Sequence, residues 1–271
     1  PLNPITSHGN SPYQGFSVFA GEPLLISPEL LKARGLLREE DLREIPGFDP
    51  VHVDYDAVRE YKYPLFRKAY EAFRLSEDED LQAEYDEFCT KNEVWLSDYS
   101  LFMALKEEQE GLPWTKWPES LRNLTEENRA FWTEKLEDEI VYHTFLQFCF
   151  YSQWEALKKY ANDRGIAIIG DIPIFVSPDG ADVWANRELF QVNEKGYPSA
   201  VAGVPPDYFS ATGQKWGNPL YNWAAHKKEG YRWWNSRVRH LLEQADYVRV
   251  DHFRGFEAYW EVPVDAENAI S

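Results

Sequence analysis

Arg249, Asp251 and His252 bring a guanidinium, a carboxylate and an imidazole together within four residues. Around them Tyr247, Val248 and Val250 read as a short strand. Alternate residues of a strand share a face, so Arg249 and Asp251 point the same way with apolar bulk beside them. A cation close to a carboxylate favours its charged form. Where a strand runs into a loop, parallel α/β proteins place their chemistry, so Asp251 reads as a catalytic carboxylate. A structural ion pair uses the same residue types, and this stretch alone leaves both readings open. A second acidic group, Asp171, terminates the apolar, largely β-branched run 166–170, a pattern expected of a fully buried parallel strand.

The two strands need a connection that brings them side by side. Between them, residues 173–223 form a long stretch without regular periodicity, rich in aromatics, that includes Asp207, Gln214 and Trp216. Loops of that length are commonly functional or disordered, and the aromatic content argues for a binding loop over a site. Tyr231, Trp234, Val238, Leu241, Leu242 and Ala245 then trace a helix leading into the second strand. Strand, long loop, helix and parallel strand predict an α/β fold, a section of a (β/α)8 barrel, with a doubly wound open sheet as the alternative. No Gly-rich phosphate loop follows either strand, which weighs against a nucleotide-binding sheet.

Upstream the pattern is helical. Ser27 and Pro28 form an N-cap and first-turn pair. A helix is expected from Asp56, with Val58, Tyr61, Leu65, Ala69 and Phe73 on one side and Pro64 kinking or dividing it. Two acidic helices follow, 78–92 and 99–110, the second ended by Gly111, and 125–160 reads as one or two long amphipathic helices. Trp95, Leu101, Cys149, Trp154 and Trp234 fall at core positions, and His143 and His240 at solvated helix positions.

Composition narrows the partners. With 46 acidic against 28 basic residues the net charge is -18, which repels phosphate backbones and anionic lipid, so neither nucleic acid nor a membrane is expected. No apolar run approaches a membrane span, and no signal segment opens the chain. The two cysteines, Cys89 and Cys149, sit in helical patterns and read as reduced thiols, which places the chain in the cytoplasm. No metal-ligand spacing is visible, so neither a metal nor an organic cofactor is expected. Aromatic residues make up 16% of the chain, many of them beside Gly, Pro and Asn outside helical patterns. Flat rings next to carboxylates and amides suit sugars, whose C–H faces pack on rings while their hydroxyls meet a polar rim. The chain starts without Met and runs out after Trp260 to Pro263 without an obvious closing element, so it reads as an internal excerpt.

Seven motifs carry a resemblance. SPYQGFS at 11–17, WLSDYSLFMALK at 95–106, FLQFCFYSQW at 145–154, IIGDIPIFV at 168–176, GVPPDYFS and TGQKWGNPLY between 203 and 221, and VRVDHFRGF at 248–256 together resemble the 4-α-glucanotransferases. These are the amylomaltases or disproportionating enzymes, glycoside hydrolase family 77 of the α-amylase superfamily. The resemblance implies a partial (β/α)8 TIM barrel with a large, mostly helical insertion. It makes residues 1–23 a barrel segment with a substrate-contacting loop, 24–140 the insertion, and 141–271 a barrel segment with strands three and four. It implies that Asp251 is the nucleophile, Arg249 its orienting partner and His252 a sugar-binding neighbour, while Asp171 ends the third strand near substrate. By the same resemblance Ser11 and Tyr13 belong to an early glucan-contacting loop, and Asp207, Gln214 and Trp216 to a loop over the acceptor. The implied partners are α-1,4-glucans: maltooligosaccharides, starch or glycogen. The implied reaction is a retaining double displacement whose general acid lies beyond residue 271, in the cytoplasm or, in a plant or alga, the plastid. An α-glucan hydrolase, or a non-catalytic glucan-binding chain, is the alternative.

Overall fold

A computed structural model describes residues 1–5 and 9–270. Six helices come first: α1 (Pro28–Ala33), α2 (Tyr55–Arg74), α3 (Glu79–Glu108), α4 (Glu119–Arg122), α5 (Glu126–Lys135) and α6 (Glu137–Asn162). Three more, α7 (Ala181–Ala185), α8 (Trp223–Lys228) and α9 (Arg232–Gln244), alternate with five strands: β1 (Ile169–Pro173), β2 (Ala200–Val204), β3 (Gln214–Pro219), β4 (Tyr247–Asp251) and β5 (Trp260–Pro263). No helix among the described residues is long and apolar enough to cross a membrane.

The main core lies where α3 packs along α6, with Tyr99, Leu101, Phe102, Tyr142 and Phe145 almost wholly removed from water. Three helical expectations change. The start expected at Asp56 moves to Tyr55, because Asp54 is the cap and its carboxylate accepts the N–H groups of Asp56 and Ala57, each at 3.1 Å. Pro64 does not divide α2; Leu65, Phe66, Ala69, Tyr70 and Phe73 are buried beyond it, and that packing holds the axis across the missing hydrogen bond. The two acidic helices are one helix of 30 residues, since the joining stretch has no Gly or Pro and buries Trp95 and Leu96. Gly111 does end it in spirit: at φ +76° it lets its N–H reach the carbonyl of Lys106 at 2.8 Å. The border expected at 140 falls inside α6, whose break from α5 is at Leu136.

His143 and His240 are not solvated. His143 is buried beside Glu107, and the ring of His240 packs against Phe19, Trp95 and Tyr151, because α6 and α9 turn these positions toward neighbouring helices rather than outward.

β1 and β4 run parallel, with Asp171 opposite Arg249 and Pro173 opposite Asp251. The first strand starts later than the apolar run suggests. Gly165, at φ +73°, turns the chain after α6, the Ile166 N–H still bonds Ala161, and pairing begins only at Ile169. Asp171 therefore sits at the centre of β1, not at its end. Nor is this run buried: Ile166 and Ile169 are exposed, since among the described residues β1 has a strand on one side only. Helix α9 returns the chain to β4 and packs on β1 at Gly170, where a Cβ would lie 2.9 Å from that of Ala245. Its inward face is Trp233, Trp234 and Arg237, while Val238 and Leu242 are exposed, because Arg237 is required beneath the end of β1.

The stretch 173–223 is more regular than its sequence suggests. It supplies α7, the 3-10 turn Arg187–Leu189 and two strands of a three-stranded antiparallel sheet in the order β3-β2-β5. Gly203 permits this sheet, since a Cβ there would stand 2.4 Å from the Gln214 carbonyl oxygen.

Candidate active site

The early loop is built to hold Tyr13 at the edge of the parallel strands. Ser11 caps the 3-10 turn Pro12–Gln14, its hydroxyl accepting the Tyr13 N–H, and Pro12 fixes the first turn residue. Behind the turn, the Phe16 N–H meets the Pro4 carbonyl at 2.9 Å, and the Val18 N–H meets the carboxylate of Asp182 at 2.9 Å. Gln147 closes the far end by bonding both backbone groups of Gly21. Asp182 is buried, and burial pushes its carboxyl up to about 6 despite that N–H.

Tyr13, Asp171 and Arg249 form a closed knot. The Arg249 fork donates to both oxygens of Asp171, Nε to Oδ1 at 2.6 Å and Nη2 to Oδ2 at 2.8 Å, and the Tyr13 hydroxyl also donates to Oδ2. The Arg249 guanidinium holds the Asp171 carboxyl below its usual range, while the hydrogen bond to that carboxylate raises the Tyr13 hydroxyl. Arg249 thus faces both carboxylates, hydrogen-bonded to Asp171 and in a longer ion pair with Asp251. The parallel register puts Asp171 straight across from Arg249 and leaves Asp251 at 3.7 Å from Nη2.

Asp251 ends β4 at the floor of a cleft of about 490 Å³. Its side chain is 50% exposed, and among the described residues it is the only carboxylate lining the cleft, with no hydrogen-bond donor upon it. The next residue, His252, has φ +53°, a left-handed conformation that turns the chain out of the strand and into the 3-10 turn Phe253–Phe256. That turn lies against the exit of β1 because Gly255 has no Cβ to meet Ile174, which would stand 2.7 Å away. The imidazole of His252 meets Trp216 edge-on, centroids 5.0 Å apart, and Phe175 backs both rings. Opposite, Ser11 and Tyr13 complete the wall.

Not every expected residue reaches this cleft. Ser11, Tyr13, Trp216, Asp251 and His252 line it, and Asp171 and Arg249 stand beside it through Tyr13. Gln214 stands one step back, its side-chain carbonyl accepting from the indole of Trp216 at 3.0 Å. Asp207 is turned away: its carboxylate accepts the N–H groups of Phe209 and Ser210 within its own turn. Sequence reasoning missed Gln14, Asn218, Phe175 and Lys215 as lining groups. Gln14 and Asn218 join the early loop to β3 through paired amides, one bond at 3.2 Å, and both lie inside motifs already singled out. Arg237 was invisible as a positioning residue. Fully buried, it donates to the carbonyls of Pro173 and Ile174 and to the Tyr221 hydroxyl, which itself donates to Ile174.

Glu107, Glu139 and His143 also converge, with ligand-type atoms within 4.8 Å of one another. Arg67 already bonds both carboxylates and supplies the compensating charge.

Comparison with known proteins places this geometry. A family model described as 4-alpha-glucanotransferase, glycoside hydrolase family 77, matches residues 1–271. The 4-alpha-glucanotransferase of Aquifex aeolicus is 47% identical over 272 residues, covering 100% of this chain and 54% of that protein, and the Thermus thermophilus enzyme is 47% identical over 270 residues, covering 100% and 53%. The chain thus spans about half the length of the curated relatives it matches. Among solved structures, the amylomaltase from Streptococcus agalactiae in complex with acarbose superposes with a TM-score of 0.94 at 41% identity, over 99% of this chain and 54% of that one. The amylomaltase from Corynebacterium glutamicum, at 22% identity and a TM-score of 0.77 over 98% of this chain and 36% of its own, shares the fold. The architecture is a partial (β/α)8 barrel, and the chain belongs to the 4-α-glucanotransferase family, glycoside hydrolase family 77.

Proposed function

We propose that this chain carries the nucleophile of a 4-α-glucanotransferase that moves α-1,4-glucan segments between maltooligosaccharide, starch or glycogen chains. The observation that carries this reading is Asp251, among the described residues the one carboxylate lining an aromatic-walled cleft, left without a hydrogen-bond donor when Arg249 donates to Asp171. A carboxylate Oδ attacks the anomeric carbon, the glycosidic C–O bond breaks, and the leaving oxygen takes a proton from a second carboxyl about 5 Å away. An acceptor hydroxyl then gives its proton to that second group and displaces Asp251 with retained configuration. The second carboxyl comes from sequence outside these 271 residues, a reading supported by relatives about twice as long and by Asp251 standing alone in the cleft.

The other residues serve position and grip. Arg249 keeps β1 and β4 in register through Asp171 and leaves positive charge 3.7 Å from Asp251. Trp216, backed by the buried Phe175, supplies a platform for sugar rings, and Ser11, Tyr13 and His252 offer hydrogen bonds to hydroxyls. Gln214 orients the Trp216 indole, and Asp207 shapes the tip of the acceptor loop. Transfer outruns hydrolysis when glucan rather than water fills the acceptor side. Residues 1–23 and 141–271 serve as barrel segments around a helical insertion at 24–140. The exposed Ile166, Ile169 and Tyr247 are the surfaces on which further barrel elements pack.

The deciding measurement is product analysis with maltotriose and the full-length protein. A transferase yields a ladder of longer maltodextrins, whereas glucose and maltose alone would establish a hydrolase. Asp251→Asn should abolish the ladder while a maltoheptaose titration still saturates. A ladder that persists in this variant would refute Asp251 as nucleophile.

A further inference from the structure

A cavity of about 740 Å³, larger than the cleft, shares no lining residue with it. Arg122, at the end of α4, and Arg187, in the 3-10 turn that follows α7, both line it, and neither meets a carboxylate among the described residues. The Arg122 Nε is shut off from water without a hydrogen-bond partner. Arg187 donates to one backbone carbonyl, that of Glu194 at 2.9 Å, and lies over the ring of Trp114. Burial first, and the Arg122 charge next, lower the Arg187 pKa, as expected of two cations sharing a poorly solvated space.

This arrangement runs against the composition. In a chain with 46 acidic residues, two half-buried arginines side by side without a carboxylate are out of keeping. Arg129, on the same cavity wall, is paired with Asp98 at 2.6 Å. The acids that share the lining, Glu119, Glu188 and Glu194, are all solvent-exposed. An unpaired buried cation is costly until an anion reaches it, and two planar forks match the oxygens of one phosphate. The cavity is far larger than a phosphate and falls within the range of small-ligand sites, about 300–1,000 Å³. Beyond the arginines its lining offers the amide of Asn123 and the Nδ2 of Asn193, groups that serve hydroxyls, while the Asn222 amide is spent on the Glu188 carbonyl and on capping α8.

We propose that this cavity binds a phosphorylated sugar, its phosphate bridging Arg122 and Arg187 and its hydroxyls meeting the amides of Asn123 and Asn193. Calorimetric titration of the full chain with glucose 6-phosphate, glucose and inorganic phosphate tests it. Glucose 6-phosphate should bind saturably, more tightly than inorganic phosphate, and glucose should not bind at this site. Arg122→Gln and Arg187→Gln should each weaken the sugar phosphate about ten-fold or more. Asp251→Asn should leave that binding unchanged. Because both arginines are half-buried, thermal melts without ligand verify folding, and Arg122→Lys and Arg187→Lys, which keep charge but lose the fork, should fall between wild type and the glutamine variants. Absence of saturable binding, or binding untouched by all four substitutions, overturns the site. Equal affinity for inorganic phosphate overturns its assignment to a sugar.

Discussion

The cleft and the larger cavity dispose of their charges in opposite ways. In the cleft the close ion pair is closed upon itself: Asp171 takes both arms of Arg249 and the hydroxyl of Tyr13, and the charge left over is negative, on Asp251. In the larger cavity Arg129 is paired with Asp98, and the half-buried charges left without a partner are positive, on Arg122 and Arg187, while the acids of the lining are exposed to solvent. Size alone would have pointed away from the cleft proposed for glucan chemistry. What distinguishes the two is the ionic group that its neighbours leave unclaimed, because that group is available to a ligand.

Substitutions can break this contrast. The largest effect belongs to Asp251→Asn, expected to lower kcat for transfer roughly a thousand-fold or more while glucose 6-phosphate binding stays intact. Arg122→Gln should do the reverse. If both functions fell together in either variant, the two sites would be one coupled unit.

Asp182 offers a third disposition, a buried carboxyl answered by the Val18 N–H and an N–H within its own helix but not by a hydrogen-bonded ion pair. Its folded pKa, pushed up to about 6, lies above the ordinary 3.8, so the folded state prefers the protonated form. Stability from this group is complete below the ordinary value and falls as pH rises through about 6, by on the order of 3 kcal/mol. Asp182→Asn keeps an acceptor for Val18 and should remove that loss. Urea unfolding at pH 4 and pH 7 would show it, and parallel pH profiles for the two proteins would exclude Asp182 as the titrating group.

Opening the closed knot should have a smaller consequence. Asp171→Asn removes the charge that holds Arg249, lets the guanidinium swing toward Asp251, and should lower kcat about ten-fold with little change in KM. The depressed Asp171 pKa adds an acid limb: its stabilisation is present above the ordinary Asp value and lost as pH falls through the lower folded value, a limb the variant should lack. Tyr13→Phe, which deletes one arm of the knot at the cleft wall, should raise KM a few-fold and leave kcat near wild type. A larger drop in kcat there would mean that the hydroxyl acts on the reacting atoms.

The sequence disclosed these features unevenly. β4 was legible because Val248 and Val250 alternate with Arg249 and Asp251, a pattern that fixes both the strand and the shared face. Asp171 was legible as a site residue but not in its position, since register is set by the partner strand and the apolar run 166–170 hides where pairing begins. Trp216 and Tyr13 stood out as aromatics in turn-rich motifs, where helical packing does not explain them. Asp207 stood out equally, yet its carboxylate serves its own turn, a local use that sequence does not separate from a ligand contact. Unbroken α3 was missed because a long helix that buries different faces along its length loses its simple periodicity. Arg237 gave no signal at all, because a lone Arg in an amphipathic pattern reads as surface charge.

Arg237 bears on how such a site can change. Its guanidinium supplies donors to the Pro173 and Ile174 carbonyls where the ladder of β1 runs out, standing in for the amides of a neighbouring strand. The chain after Ile174 can therefore depart from the sheet without leaving its last acceptors unanswered. That makes the junction a joint: loops attached beyond it can lengthen, shorten or exchange sequence during divergence without unzipping the strand pair beneath.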